Sequence, residues 1–290
     1  MNAILKPLAA AMILASVSTT TVFAAENDIT RVNQKGDLNN VYVRQGGDEN
    51  KILIDQLGDR NTSMAVQSGE DNLATLNQKG NLNRSYVYTQ SGNDNVIKNK
   101  QRGNLNSFQA GQSGSDNNTY ALQMGNGNLA YSRQAGEDNE VKINQQGDRN
   151  RASNIQSGQD NKFTMLQEGD YNSSTNIQRG EDNLSTSYQR GDGNQTTSYQ
   201  VGESNLSKTN QQGDYNSAYT YQNGDNHDSL LTQKGNANYA AAHQYGSDNL
   251  LRVKQQGDRN MSTVCQQGTN QQAFVNQKGN GNRSNVVQGF

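Results

Sequence analysis

Two histidines, one cysteine and a recurring set of aspartates are the side chains of this 290-residue sequence from which chemistry could be expected. A zinc site needs three or four His, Cys or carboxylate ligands at short, telling spacings. A nucleophilic site needs a base within reach of its Ser or Cys. His227 and His243 have no such neighbours, and Cys265, being alone, can form no disulfide within the chain. No catalytic residues, metal ligands or cofactor are therefore expected. The aspartates differ in that they recur, as in Asp71, Asp138, Asp160, Asp182 and Asp248. Stacked carboxylates could hold Ca²⁺, but the Ca²⁺-binding β-rolls use nine-residue repeats, and the period here is eleven. Closing turns and keeping the surface soluble is the simpler role.

These residues sit inside a repeat that governs the whole chain. The skeleton Gln-x-Gly-x-x-Asn, with five residues before the next Gln, occurs 23 times from Gln34 to Gln277. Its Gln and Gly never fail, and its Asn is replaced twice, by His227 and Gln271. With Gln at position 0, positions 7 and 9 hold pairs such as Val41 and Val43, Ile52 and Ile54, Val141 and Ile143, and Phe163 and Met165, and never a charge. Positions 6, 8 and 10 carry Lys51, Asp55, Lys162, Arg252 and many Tyr and Thr. That alternation has the period of a β-strand. It puts Asn at 5, positions 7 and 9 and the next Gln on one face. Gly36, Gly47, Gly147, Gly158 and Gly257, flanked by Asp, Asn, Ser or Glu, read as turn glycines.

Odd copies carry Asp or Asn at position 3, and even copies mostly carry Asp at position 4. The two turns differ, so the full unit is a 22-residue strand-turn-strand-turn. The expected fold is all-β, a β-solenoid of stacked 22-residue coils, each made of two 11-residue half-repeats, with cross-β spacing. About eleven and a half such coils would stand roughly 55 Å tall at ~4.8 Å per coil. Stacking explains the invariant amides, because a buried amide left unpaired costs about 1–3 kcal/mol. The expected ladders run through Gln34, Asn39, Gln45, Asn50, Gln56 and Asn61, then Gln134, Asn139, Gln145, Asn150, Gln156 and Asn161. Near the end they run through Gln255, Asn260, Gln277 and Asn282. Stacked Asp side chains would repel by ~0.9 kcal/mol at that spacing in water, which slows stacking without forbidding it.

In chain order, residues 1–25 read as a secretory signal peptide. Lys6 supplies the positive start, Leu8–Val17 an apolar run too short to span a bilayer, and Val22-Phe23-Ala24 or Phe23-Ala24-Ala25 a cleavage site. Residues 26–33 are a short lead, and the repeat region fills 34–290. Asn83 to Gln90 is one residue longer than elsewhere, and a β-bulge is expected there. Pro7 is the only proline, so no later residue lacks a ladder N–H. The formal charge is −2 with Lys and Arg dispersed along the chain, which argues against a nucleic-acid partner. Outward Tyr residues, among them Tyr199 and Tyr221, suggest stacked surface pairs rather than a sugar track.

The Gln-x-Gly-x-x-Asn unit, its apolar positions 7 and 9 and its doubled period resemble the curlin repeats of bacterial curli fibres, over Gln34 to Phe290. The resemblance implies an extracellular functional amyloid of a Gram-negative bacterium, a major subunit or nucleator that polymerises with itself and with other curlin subunits. It further implies passage through an outer-membrane curli secretion pore and support of adhesion and biofilm matrix. The family's ladder Gln and Asn fall on the amides named above, and its gatekeeper Asp and Gly on the turn residues. Two departures stand out: familiar curlins have far fewer repeats, and the Gly-rich segment preceding the repeats of major curlins has no counterpart in Glu26–Asn33. A monomeric β-solenoid adhesin is the alternative. It would need caps on its ends, and neither Glu26–Asn33 nor Asn285–Phe290 is long enough to provide one.

Overall fold

Alternation of inward and outward residues builds strands throughout. The structure, a computed structural model, describes residues 11–13 (backbone only), 18–24 and 27–289. Every regular element among them is a β-strand, and the residues group into two compact units, Met1–Asp138 and Asn139–Phe290.

In the first unit, one sheet is formed by Ala11–Ile13, Ile29–Lys35, Lys51–Leu57, Leu73–Lys79, Val96–Arg102 and Asn118–Met124. The other is formed by Thr19–Phe23, Asn40–Asp48, Thr62–Glu70, Arg84–Asn93, Ser107–Ser115 and Leu129–Glu137. The chain alternates between the sheets, so each strand pairs in parallel with the strand two along, as in Ile52 against Ala74. This is a β-solenoid with two strands and two turns per coil. Ile52, Ile54, Leu76, Ile97, Val41, Val43 and Phe108 fill the space between the sheets.

The second unit repeats the winding. One sheet holds Glu140–Gln146, Lys162–Glu168, Leu184–Arg190, Leu206–Gln212, Asp228–Lys234, Leu250–Gln256 and Gln272–Lys278. Its partner sheet holds Arg151–Gln159, Ser173–Glu181, Gln195–Glu203, Ser217–Asp225, Tyr239–Ser247, Met261–Thr269 and Arg283–Gln288. Its interior changes character along the chain. Phe163 and Met165 give way to Ser174, Asn176, Ser185, Ser187, Thr196 and Ser198, and then to a cluster around Leu231, Leu251, Val253 and Val264.

Turns follow from two left-handed positions. Gly158 has φ +119°, and a Cβ there would lie 2.0 Å from the carbonyl oxygen of Gly180 in the adjoining coil, so no side chain fits. Position 4 is also left-handed, as at Asp71 (φ 53°), Asp160 (φ 53°) and Arg149 (φ 56°). The turn backbone stays paired between coils, with Gly80 N–H donating to Leu57 O at 2.9 Å and Leu82 N–H to Asp59 O at 3.0 Å.

The long repeat resolves as expected. Val87 pairs with Ala65 and Gln90 with Gln67, so Tyr88-Thr89 face the single residue Val66 and register resumes beyond the bulge. Ahead of Gln34, the segment read as a lead supplies the strand Ile29–Lys35, with Thr30 and Val32 inward and Asp28 buried where later copies have Asn. With Phe23 at the Gln position, Ala25 at the Gly position and Asp28 at the Asn position, this extra half-repeat escapes a pattern anchored on Gln, Gly and Asn. Of the segment read as a signal peptide, residues 1–10, 14–17 and 25 lie outside the described residues. Within it, Thr19–Phe23 pairs with Asn40–Arg44 and Ala11–Ile13 with Val32–Gln34.

Candidate functional site

The distinctive chemistry of this chain is buried and amidic. In the first unit, Gln34 donates from Nε2 to Oε1 of Gln56 at 2.9 Å, and Gln56 donates in turn to Gln78 at 2.8 Å. In the other sheet, Gln45 donates to Gln67 at 3.0 Å, and Gln112 donates to Gln134 at 2.8 Å. The second unit has the same pattern, with Gln145 donating to Gln167, Gln156 to Gln178 and Gln255 to Gln277 at 2.8–3.0 Å. The remaining Nε2 hydrogen reaches a main-chain carbonyl, as from Gln134 to Asn118 O at 3.1 Å. All of these glutamines are buried.

The asparagines ladder in the opposite sense. Asn61 donates from both its backbone N and Nδ2 to Oδ1 of Asn39, at 3.0 and 3.2 Å, and its Nδ2 also reaches Gly80 O at 2.7 Å. Asn161 does the same to Asn139, and Asn282 to Asn260. Asn150 accepts from Asn172 N at 2.9 Å. The Gln-to-Gln bonds thus donate toward the C-terminal coils and the Asn-to-Asn bonds toward the N-terminal coils, while each Asn Nδ2 also donates forward to the glycine carbonyl of the next coil. Asn50 donates to the buried Asp28 carboxylate at 3.0 and 3.2 Å, the first member of that column among the described residues.

Histidine replaces asparagine once, and its ring reproduces the amide. His227 N–H donates to Asn205 Oδ1 at 3.0 Å, Nδ1 accepts from Asn249 N–H at 3.3 Å, and Nε2 contacts Asn223 O at 3.4 Å. Nδ1 stands for the amide oxygen and Nε2–H for the amide donor, which requires the neutral ring. Burial lowers the imidazole pKa below its ordinary value, against smaller opposing effects that include the Asp225 and Asp248 carboxylates. His243 faces outward and tilts against Tyr219 at 5.3 Å.

A third ladder lies in the odd turns. Asp37 N–H donates to Oδ1 of Asp59 at 2.8 Å, and Asp59 N–H to Oδ1 of Asn81 at 2.8 Å. Asp148, Asp170, Asp192 and Asp214 continue it in the second unit. Its signal was present in the sequence: odd copies place Asp or Asn at position 3, and both residues offer Oδ1 as an acceptor. The position-4 aspartates Asp71, Asp138, Asp160, Asp182 and Asp248 serve a different purpose, since all have φ between 53° and 56°. Asp tolerates the left-handed region better than most residues. Gly36, Gly47, Gly147 and Gly257 hold the same turn place as Gly158, each facing the next coil's glycine carbonyl. Among the described residues, no group of three or more His, Cys, Asp or Glu could hold a metal ion, and no helix is long and apolar enough to cross a membrane.

Fold and ladders together define a class: a parallel β-solenoid whose coils bond their own copies through buried amides. The family model of the curlin-associated repeat matches residues 25–58, 47–80, 69–98, 114–147, 136–169, 202–235 and 230–257. The chain belongs to the curlin-repeat family. A comparison with curated proteins returns no match.

Proposed function

We propose that this chain is a structural, curli-type subunit rather than an enzyme, and that it assembles end to end into extracellular cross-β fibres that support adhesion and biofilm matrix. The carrying observation is the opposed direction of the Gln and Asn ladders. Toward the C-terminal end, Gln ladders present Nε2 donors and Asn ladders an Oδ1 acceptor beside an Nδ2 donor aimed at the next glycine carbonyl; toward the N-terminal end, Gln ladders present Oε1 acceptors and Asn ladders donors to an Oδ1. A second copy added head to tail meets complementary groups in both ladders and continues the parallel strands. A copy added head to head meets donor against donor. Head-to-tail contacts that do not close make a filament, and a parallel strand edge is a template for more of the same.

Export fits the same reading. Residues 1–25 act as the secretory signal and are removed, leaving the Asp28 coil as one end. Family membership supports other curlin subunits and an outer-membrane curli pore as partners, and a Gram-negative cell surface as the site of assembly.

Seeded growth tests this proposal. The purified chain should polymerise after a lag, because the first coil loses conformational entropy before any ladder compensates, and preformed fibres should remove that lag. A chain that stays monomeric and β-structured for days, with or without seeds, would favour the monomeric adhesin instead.

A further inference from the structure

Lysine and arginine look scattered along the sequence, but residues 22 apart fall side by side in the solenoid. On the outer face of Ile29–Lys35, Lys51–Leu57, Leu73–Lys79 and Val96–Arg102, strand register sets Lys35, Leu57, Lys79 and Arg102 in one column. Beside it runs Asn33, Asp55, Asn77 and Lys100, and then Arg31, Leu53, Thr75 and Lys98. Neighbours within a column are ~4.8 Å apart. Asp55 is the one carboxylate on these four outward faces, and the acidic residues of the same coils, such as Asp37, Asp59 and Asp71, sit in the turns.

The first two columns enclose a trough of about 880 Å³. Its origin is the repeat itself. Gln56, Gln78 and Gln101 turn their side chains into the core, so their backbones form a floor, and the outward residues on either side form walls. Leu57 and the methylene stems of Lys79 and Lys100 line it, with charged heads at the rim. On the opposite sheet of this unit the basic residues are not gathered into columns, and a smaller cavity of about 350 Å³ there has Arg133 beside Tyr88 and Tyr131. Arg44, Arg84 and Arg133 are set apart there by uncharged register partners such as Val66, Ser107 and Gly111.

We infer that this trough binds a linear carboxylated polysaccharide, laid across the strands along the columns. Apolar walls suit the C–H faces of sugar rings. Lys79 and Lys100 supply point charges, and Arg102 a planar fork for a carboxylate. Each exposed pair is weak, but a chain bearing carboxylates at regular intervals engages several together. No aromatic side chain lines the trough for bases to stack on, so single-stranded nucleic acid is the poorer fit. The inference does not depend on fibre assembly, since the face is lateral to the coil ends.

The test uses the purified chain and fluorescent polygalacturonate oligomers, read by anisotropy. Lys79→Gln/Lys100→Gln/Arg102→Gln should weaken binding at least about tenfold, and Arg44→Gln/Arg84→Gln/Arg133→Gln, which removes equal charge from the other face, less than about threefold. Binding of the unaltered chain should fall steeply with added salt. Equal losses in the two variants overturn the site, as would neutral dextran binding as tightly, or single-stranded DNA displacing the polyuronate at lower charge concentration. Seeded growth is followed for both variants in parallel. Lost polyuronate binding with growth intact assigns the loss to the trough, whereas loss of both together overturns a lateral site.

Discussion

Two stretches of the molecule fill the same scaffold with opposite material. Between Val41 and Phe108 in the first unit the interior is Val, Ile, Leu and Phe, interrupted by small or polar residues such as Ser63, Ser85 and Asn99. Between Ser174 and Thr209 in the second it is almost entirely Ser, Thr and Asn. Gln ladder distances do not register the difference: 2.8 Å from Gln56 to Gln78, and 2.8 Å from Gln167 to Gln189. The turn carbonyl accepts from the Asn ladder at 2.7 Å in both, at Gly80 and at Gly191. The frame is therefore set by amides and turn glycines, and positions 7 and 9 need only exclude charge. The polar stretch carries buried hydroxyls without a hydrogen-bond partner, at Ser174, Ser187 and Ser198, and each such group costs stability.

The largest effect should be the same in both stretches. Gly47→Ala and Gly180→Ala each put a methyl about 2 Å from a glycine oxygen of the next coil, 2.0 Å at Gly69 and 2.1 Å at Gly202. Each should cost several kcal/mol, at least the ~1–3 kcal/mol of a strained backbone, measured by urea unfolding. If one is tolerated and the other is not, the two stretches do not share a frame.

Interior substitutions should separate them. Ile52→Ala removes a fully buried side chain and should cost about 2–4 kcal/mol. Ser187→Ala removes an unpaired buried hydroxyl and should leave stability unchanged or raise it by up to about 1 kcal/mol. A comparable loss from both would mean that the Ser-lined interior is held by contacts of its own.

A smaller, pH-dependent effect belongs to His227. Because its folded pKa is lowered by burial, the unfolded chain binds the proton more readily. The contribution of the neutral ring is complete above the ordinary pKa of about 6.5 and is lost as pH falls below it toward the folded value. His243 is lowered by burial as well, so the comparison is made in a His243→Gln background. There, His227→Asn should flatten the fall in stability as pH drops below about 6.5. An unchanged pH profile would remove His227 from the ladder.

The smallest effect should come from the turns. Asp71→Asn, Asp94→Asn and Asp116→Asn together keep a residue tolerant of φ near 55°, so stability should shift by less than about 1 kcal/mol. Fibre growth should still quicken at low salt as repulsion between stacked carboxylates is removed, with the gain shrinking at high salt. Slower growth in the triple variant would show that the carboxylates assist assembly.

Strand faces and turn glycines could be read directly, because an eleven-residue period and a two-residue alternation leave one arrangement that buries Gln, Asn and positions 7 and 9. Other features could not. The direction of each ladder depends on which amide atom faces which coil, and Gln and Asn carry no mark of it. The left-handed position 4 was hidden because Leu38, Arg60 and Tyr171 occupy it alongside the aspartates. The basic columns were hidden because a charge count along the chain treats residues 22 apart as distant, while the winding makes them neighbours. Phe23, Ala25 and Asp28 concealed a half-repeat by standing where the pattern requires Gln, Gly and Asn.

The account rests on coils of one copy continuing those of the next, and fibre diffraction from aligned, assembled chain tests that directly. Head-to-tail continuation predicts a sharp meridional reflection at ~4.8 Å, with strands perpendicular to the fibre axis, and sheet packing near ~10 Å on the equator. Fibres whose ~4.8 Å reflection falls on the equator would mean that solenoids associate side by side, which would contradict the account.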